Sequence, residues 1–347
     1  MAIEKEAPEE VGVVIKYNLS ESAISDQTLK SLNITFPPDT ALTYAEHKGS
    51  HAIRCLVAKA SGKLIDPDDV LITAGASMSL FIIKTALLGP KDHVVVTRPN
   101  YATNLEIPRS VKCDITFIDL EFESEYRLDI DCVAAAIRPG SLARLAKERG
   151  CYLLVDETYS ELKYPSESAD GINSIPSAAS LGDHVISVSS VSKAYGVPGI
   201  RIGWLTTTNV CLQETFLAAK EQIAISGSVL DELVAEQILS RQAELLSVTI
   251  ADMRKRRDHV ASWVAEESEW LDWVRPEAGV MCFIKIKKEP VGGIETFYTR
   301  LLEKYGVYIG RGGWFERDDS FFRLGYGWPT WQELEQGLCG ISKALRE

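Results

Sequence analysis

The sequence predicts an α/β protein in which a mostly parallel sheet is sandwiched by helices, with a small α+β domain at its C-terminal end. Two observations carry this prediction. Up to about residue 210, short apolar runs alternate with helical patterns, and continuous apolar strands of this kind are typical of a parallel sheet covered on both faces. Beyond residue 280 the pattern changes, and 347 residues are enough for two domains.

The predicted large domain spans residues 36–250. A helix over residues 78–88 follows a Gly-Ala-Ser turn, and a long helical pattern over residues 229–266 leads out of the domain. The candidate strands are short apolar runs with polar ends, and they cover residues 70–73, 93–97, 114–118, 152–155, 185–189 and 201–205.

The predicted small domain contains residues 251–347. Its strands are expected at residues 280–286 and 321–325, and its helices at residues 295–305 and 331–345. Strands and helices that are not regularly interleaved favour an α+β arrangement.

Charge and cysteine content exclude several classes of protein. Lys and Arg total 37 against 49 Asp and Glu, a net charge of −12, and no basic tail is present, so a nucleic-acid or anionic-membrane surface is not expected. The seven cysteines are widely spaced and lack a Cys-x-x-Cys pair, which favours reduced thiols. An acidic N-terminus and the lack of an apolar run of about 18 residues indicate a cytoplasmic protein. His47 and His51 have no third ligand nearby, so no metal site is predicted.

The run SVSKAYGVPGIR, residues 190–201, is the most informative segment of the chain. The amine of Lys193 can condense with an aldehyde to form a Schiff base. Ser190, Ser192 and Arg201 can bind a phosphate, and the glycines let the backbone approach a ligand closely. The alternative is a strand-to-loop turn that carries a surface lysine.

Two further segments lie where predicted strands end. Gly75, Ala76 and Ser77 connect a strand to a helix, and a helix N-terminus binds anions through its free N–H groups and its dipole. Asp156 ends the apolar strand at residues 152–155, the edge at which open α/β sheets bind ligands. A helix cap is the alternative for both segments.

These segments resemble those of the class I/II aminotransferases, the fold-type-I pyridoxal-phosphate enzymes, and they occur in the family's order across nearly the whole chain. The resemblance implies pyridoxal 5′-phosphate bound to Lys193. It also implies that Asp156 holds the pyridine nitrogen protonated, and that Tyr159 of the Asp-x-x-Tyr element donates to the ring oxygen O3′. Tyr101, in Arg98-Pro-Asn-Tyr101, matches the aromatic residue that stacks on the ring.

Three more residues have roles that the resemblance implies. Arg323 matches the arginine that binds the substrate α-carboxylate, for which a planar guanidinium is suited. Asn18 lies near the point where family N-termini approach the substrate. Tyr44 resembles the tyrosine that reaches the neighbouring subunit's cofactor phosphate, which implies a homodimer with shared active sites. The alternatives are a surface salt bridge for Arg323 and core packing for Tyr44. The family also places the N-terminal segment, about residues 1–35, in the small domain.

One family landmark is missing from the sequence. An Asn-Pro-x-Asn-Pro-Thr-Gly-like loop, whose second asparagine bonds O3′, normally precedes the Asp-x-x-Tyr strand. Here a helical pattern over residues 129–137 passes through Arg138-Pro-Gly140 directly into another over residues 141–149. Losing a central strand exposes two sheet edges. Either the natural protein contains about twenty further residues between Gly140 and Ser141, enough for a strand and its connection, or it has lost them.

The function implied by the resemblance is transfer of an amino group from an α-amino acid to a 2-oxo acid. Similar proteins of specialised metabolism cyclise, eliminate, decarboxylate or oxidise amino acids on the same scaffold, and an overall similarity to the enzymes that cyclise modified arginine keeps this alternative open. A non-catalytic regulatory domain is a further alternative, although no helix-turn-helix segment precedes the domain and the net charge is unsuited to DNA.

Overall fold

The computed structural model describes residues 12–130, 146–164 and 176–347. Helices among these residues are α1 His51–Ser61, α2 Ala76–Leu87, α3 Ala102–Val111, α4 Val210–Ile223, α5 Val229–Leu239, α6 Gln242–Glu266, α7 Ile294–Glu303 and α8 Trp331–Arg346. Strands are β1 Tyr17–Asn18, β2 Val70–Thr73, β3 His93–Arg98, β4 Asp114–Asp119, β5 Leu153–Asp156, β6 Val185–Ser190, β7 Gly203–Thr206, β8 Leu271–Trp273, β9 Met281–Ile286, β10 Val307–Tyr308, β11 Gly310–Arg311 and β12 Phe321–Gly325.

The large domain contains a four-stranded sheet in the order β2-β7-β6-β5 and a two-stranded sheet of β3 and β4. The pairs β5–β6 and β3–β4 are parallel, whereas β7 runs antiparallel to both of its neighbours. The predicted strands are therefore present, but the described part of the larger sheet is mixed because the predicted strand at residues 201–205 returns in the opposite direction.

The described strands of the large domain form two separate sheets, and β5 and β3 are each an edge strand. Among the described strands, neither β5 nor β3 has a hydrogen-bonded neighbour on its other edge. Residues 153–155 of β5 are only half-buried, while all six residues of β6 are buried. Helices α2 and α3 contact each other. Gly140 and Ser141 lie outside the described residues, so the loss of a strand at this point stays a prediction.

The small domain is built on an antiparallel sheet in the order β11-β12-β9-β8, covered by α7 and α8. Strand β1 comes from the N-terminal segment and pairs in parallel with β10. The fold class predicted from the sequence is confirmed, with an α/β part followed by an α+β part.

Helix α6 connects the two apolar cores. Leu246 and Ile250 pack in the core of the large domain, whereas Val260 and Trp263 pack in that of the small domain. The predicted pattern over residues 229–266 is two helices, because the chain leaves helical geometry at Arg241, where φ is −113° and ψ is 22°.

The N-terminal segment also crosses between the cores. Leu19 packs in the small-domain core, while Ile24, Leu32 and Ile34 pack in the large-domain core. The division at residues 35 and 250 stays a prediction.

None of the described helices is long and apolar enough to cross a membrane.

Candidate active site

A cavity of about 1960 Å³ opens between the two parts of the chain. It brings together most of the site residues predicted from the sequence. Those that line it are Ala76, Ser77, Tyr101, Asp156, Tyr159, Ser190, Ser192, Lys193, Arg201 and Arg323. Residues from the ends of β5 and β6, from the middle of β12 and from the start of α2 thus converge on one space. Strand ends are where α/β sheets bind ligands.

Lys193 lies in the loop after β6 and points toward the N-terminal segment. Its Nζ donates a hydrogen bond to Ser22 Oγ at 2.9 Å. We call residues 18–22 the crossing segment, since they pass from the small domain over the cavity wall. The lysine amine is therefore held in the cavity by a hydroxyl of a distant part of the chain.

The crossing segment also binds one residue expected at the cofactor ring and one expected at the substrate. The Tyr159 hydroxyl donates to the carbonyl oxygen of Ser22 at 2.8 Å. Arg323 Nη2 donates to the carbonyl oxygen of Ser20, and its guanidinium carbon lies 5.0 Å from the centre of the Phe315 ring. Three predicted site residues thus meet on one short segment.

The start of α2 forms a cradle beside Arg201. Gly75 has a φ of +80°, and a Cβ atom there would lie 2.3 Å from Arg201 Nη2, so only glycine fits. Gly203 is equally restricted, because its Cβ would lie 2.5 Å from the Ala76 nitrogen. The first N–H groups of a helix have no carbonyl partner within it, and α2 has no acidic residue in its first turn. Backbone donors and a guanidinium therefore face one small space.

Ser190 and Ser192 lie next to this cradle. Ser192 Oγ accepts a hydrogen bond from Arg201 Nη1 at 3.5 Å, and both serines are buried. The donors available here, namely backbone N–H groups, hydroxyls and a guanidinium, are those that bind phosphate.

Asp156 ends β5, and one of its carboxylate oxygens is fixed locally. Oδ1 accepts from the backbone nitrogen of Thr158 at 3.1 Å and from its hydroxyl at 2.5 Å. In the described chain no residue is seen to hydrogen-bond Oδ2. The carboxylate is oriented by Thr158 and keeps an oxygen for a cationic partner in the cavity.

The two tyrosines of the cavity that were predicted from the sequence differ in environment. Tyr101 is half-exposed, and its hydroxyl lies 3.2 Å from Ser77 Oγ, so its ring stands beside the cradle. Burial raises the pKa of Tyr159 to about 12, which keeps its hydroxyl protonated at neutral pH. In this structure the Tyr159 hydroxyl donates its hydrogen bond to the Ser22 carbonyl oxygen. Donation to the oxygen O3′ of the cofactor ring stays a prediction.

Three predicted site residues do not line the cavity. Gly75 belongs to the cradle and lies next to Arg201, although it does not line the cavity. Asn18 accepts hydrogen bonds from Ser20 through Oδ1 and so shapes the crossing segment. Tyr44 is 78% exposed, which rules out core packing within this chain.

Sequence reasoning missed the residues that hold the predicted ones. Ser22 bonds both Lys193 and Tyr159, but a lone serine in a polar stretch gives no signal of this. Thr158 follows Asp156 by two residues, a spacing typical of a local Asx turn, and could have been found. No group of three or more His, Cys, Asp or Glu in the described ranges could hold a metal ion.

The arrangement fits pyridoxal phosphate on structural grounds. The cradle of Gly75, Ser77 and Arg201 suits a phosphate, Asp156 suits a protonated ring nitrogen, and Lys193 lies in the same cavity. These are the groups that would hold the cofactor.

Comparison with known proteins agrees with this fit. The model of the family "Aminotransferase class I and II" matches residues 16–142 and 140–339. Arginine–pyruvate transaminase of Pseudomonas aeruginosa is 26% identical over 77% of this chain and 73% of its own length. Capreomycidine synthase of Streptomyces vinaceus is 27% identical over 80% and 74%, respectively.

Solved structures of pyridoxal-phosphate enzymes have the same fold as this chain. A PLP-dependent aminotransferase from Streptococcus suis superposes with a TM-score of 0.84 at 28% identity, covering 95% of this chain and 93% of that one. The PLP-dependent cyclase OrfR superposes with a TM-score of 0.84 at 23% identity, covering 99% and 98%, which shows the fold alone.

The fold and the site define a pyridoxal-phosphate enzyme of fold type I. The chain belongs to the class I and II aminotransferase family. It is an enzyme that uses pyridoxal phosphate. The alternative of a non-catalytic regulatory domain is not supported by these matches. The two matched segments of the family meet at residues 140–142, the point at which the sequence lacks its landmark.

Proposed function

We propose that the protein transfers an amino group from an α-amino acid to a 2-oxo acid. In this proposal Lys193 binds the cofactor covalently and carries the proton. The observation that carries the proposal is the meeting of Lys193, Tyr159 and Arg323 on the crossing segment, opposite the cradle of α2.

When bound, pyridoxal phosphate supplies an electron sink for the bonds of the substrate α-carbon. Lys193 would hold the aldehyde of the cofactor, and its amine would move a proton between the substrate Cα and the cofactor C4′. Asp156 keeps the ring nitrogen protonated, and Tyr101 covers the ring. Arg323 binds the substrate carboxylate in place of the Ser20 carbonyl, which fixes which Cα bond faces Lys193.

We further propose a homodimer with shared active sites. Tyr44 supports this proposal because its ring is exposed and lies outside its own cavity, in an extended segment where Leu42 is 75% exposed. An exposed aromatic and an exposed leucine together are typical of an interface.

We also propose that the protein is located in the cytoplasm. Burial raises the pKa of the Cys113 thiol, which suits a reduced, inert cysteine.

A second candidate is cyclisation of an amino acid. The similarity to capreomycidine synthase and the fold shared with OrfR favour it. Glu21 lies in the cavity wall within the crossing segment and accepts a hydrogen bond from Asn18 at 3.3 Å. A carboxylate there would suit a cationic side chain. Cyclisation needs no second 2-oxo acid, so consumption of the acceptor separates the two reactions.

The experiment is an absorption spectrum of the purified protein with pyridoxal phosphate, before and after addition of single amino acids, with product analysis. A visible band that changes with one amino acid and yields a 2-oxo acid supports transamination. The Lys193→Ala variant is the control, and it should lose the band and at least about a hundredfold in rate. A protein that stays colourless with added cofactor contradicts the proposal.

A further inference from the structure

A buried lysine with no role in the reaction described above lies in α2. Lys84 is 6% exposed and follows Ser77 by two helical turns. Its Nζ donates to Asn104 Oδ1 and, at 3.4 Å, to the carbonyl oxygen of Thr103, both in α3. A buried ammonium is tolerated only when it is hydrogen-bonded or paired, so this contact between α2 and α3 requires these acceptors.

The hydrogen bonds continue from Asn104 to the aromatic residue of the cavity. Asn104 Nδ2 donates to Asn100 Oδ1 at 2.9 Å, and the same oxygen accepts from the backbone nitrogen of Tyr101 at 2.8 Å. Asn100 is anchored in turn, because its Nδ2 donates to the Thr97 carbonyl at 3.1 Å. Tyr101 is therefore connected to α2 twice, through its hydroxyl to Ser77 and through these two asparagines to Lys84.

The pKa of Lys84 depends on its burial and on the charge of Asp156. Burial lowers the pKa of Lys84 to about 7, and the negative charge of Asp156 opposes this effect. Asp156 is the charged group that acts on the ammonium among the described residues. Lys84 thus hydrogen-bonds Asn104, which supports Tyr101 through Asn100. The charge of Asp156 also affects the pKa of Lys84.

We propose that Lys84 is a positioning residue of the cofactor site: through Asn104 and Asn100 it fixes the Tyr101 backbone. The proposal rests on the assignment of Tyr101 to the cofactor ring. Lys84 itself does not line the cavity. It acts behind Tyr101, the residue that would contact the face of the ring.

The test is a double-mutant cycle on cofactor affinity. Lys84→Met, Asn104→Leu and the double variant are prepared without cofactor, and the Kd for pyridoxal phosphate is measured by quenching of tryptophan fluorescence. Each single change should raise Kd about fivefold or more, and the double change should raise it no further than the larger single one, because members of one network are not additive. The circular dichroism of the bound cofactor should change in the same variants.

Lys220→Met is the matched control. Lys220 is also a buried lysine, 2% exposed and bonded to the His47 carbonyl, but it lies in α4 outside the cavity. This variant should lose stability and keep the wild-type Kd and circular dichroism. If Lys84→Met does not fold, Lys84→Gln, which keeps a donor and loses the charge, replaces it in the cycle.

The outcomes separate the proposal from the proposed function. If the wild-type chain does not bind pyridoxal phosphate, the assignment of the cavity fails. If the wild type binds and the Lys84 and Asn104 variants bind with unchanged Kd and circular dichroism, Lys84 is only structural and the proposal is overturned. Independent, additive effects of the two changes also overturn it.

Discussion

Ser22 accepts a hydrogen bond from Lys193 Nζ at 2.9 Å through its hydroxyl and another from the Tyr159 hydroxyl at 2.8 Å through its carbonyl. This one residue therefore links the lysine and the tyrosine of the site to a segment that begins in the small domain. Because Leu19 anchors that segment in the small-domain core, the relative position of the two parts of the chain sets the geometry around Lys193.

Removal of the Ser22 hydroxyl should affect Lys193 alone, since the carbonyl that binds Tyr159 remains. We expect Ser22→Ala to lower kcat about fivefold, the usual effect of one lost hydrogen bond, with little change in the Kd of the cofactor. Ser22→Thr keeps the hydroxyl and should retain most of the rate. Steady-state kinetics of the three proteins are the measurement. Equal kcat values for Ser22→Ala and the wild type would show that the contact has no part in the reaction.

Arg323 should act on the substrate and not on the cofactor. Replacement of a half-buried, hydrogen-bonded charge partner is costly, so Arg323→Gln should raise KM for the amino acid about thirtyfold or more while the cofactor Kd stays within about twofold. Arg127→Gln is the matched control, because Arg127 lines the same cavity but has a side chain that is 79% exposed. An equal rise of KM in both variants would mean that the loss of any positive charge in the cavity weakens substrate binding, and that Arg323 makes no specific contact with the carboxylate.

Glu161 should make the stability of the fold depend on pH. Burial raises its pKa to about 7 from 4.5, although Tyr195 and Gln242 donate hydrogen bonds to its Oε1. The folded protein then holds a proton that the unfolded chain has lost, so stability falls as pH rises from about 4.5 to 7 and is constant above. The full effect is about 3 kcal/mol.

Glu161→Gln imitates the protonated acid and should abolish this slope. We expect the variant to match the wild type near pH 5 and to exceed its free energy of unfolding by up to about 3 kcal/mol at pH 8. Urea unfolding of the cofactor-free protein at several pH values is the measurement. Glu214→Gln, at an exposed position of α4, is the control and should keep the wild-type slope. A slope that persists in Glu161→Gln would assign it to another group.

Much of the fold could be predicted from the sequence because each strand is a separate apolar run. The predicted strand at residues 70–73 agrees with β2, and the predicted helix at residues 78–88 differs from α2 by two residues at its start. The reversed direction of β7 could not be predicted, since a strand has the same side-chain pattern in either direction. Lys193 and Arg323 could be chosen from their motifs. Ser22 could not, because its partners are more than a hundred residues away.

The open edges of β5 and β3 lead to the last prediction, that the natural protein has about twenty more residues between Gly140 and Ser141, enough for one strand and its connection. Two half-buried strands with open edges are an aggregation hazard that a stable enzyme avoids. The intact mass of the protein from its natural source should therefore exceed the 38.3 kDa of the printed sequence.

The same prediction can be tested on the recombinant chain. Insertion of a strand followed by an asparagine-containing loop at this point should raise both the melting temperature and the affinity for pyridoxal phosphate, because it would pair both edges and add a donor at the ring. An insertion of equal length made only of Gly and Ser is the control, and it should do neither, since it cannot form a buried strand. A natural protein of 38.3 kDa that binds the cofactor tightly without the insertion would show instead that the strand was truly lost, and that Tyr159 alone serves the O3′ side of the ring.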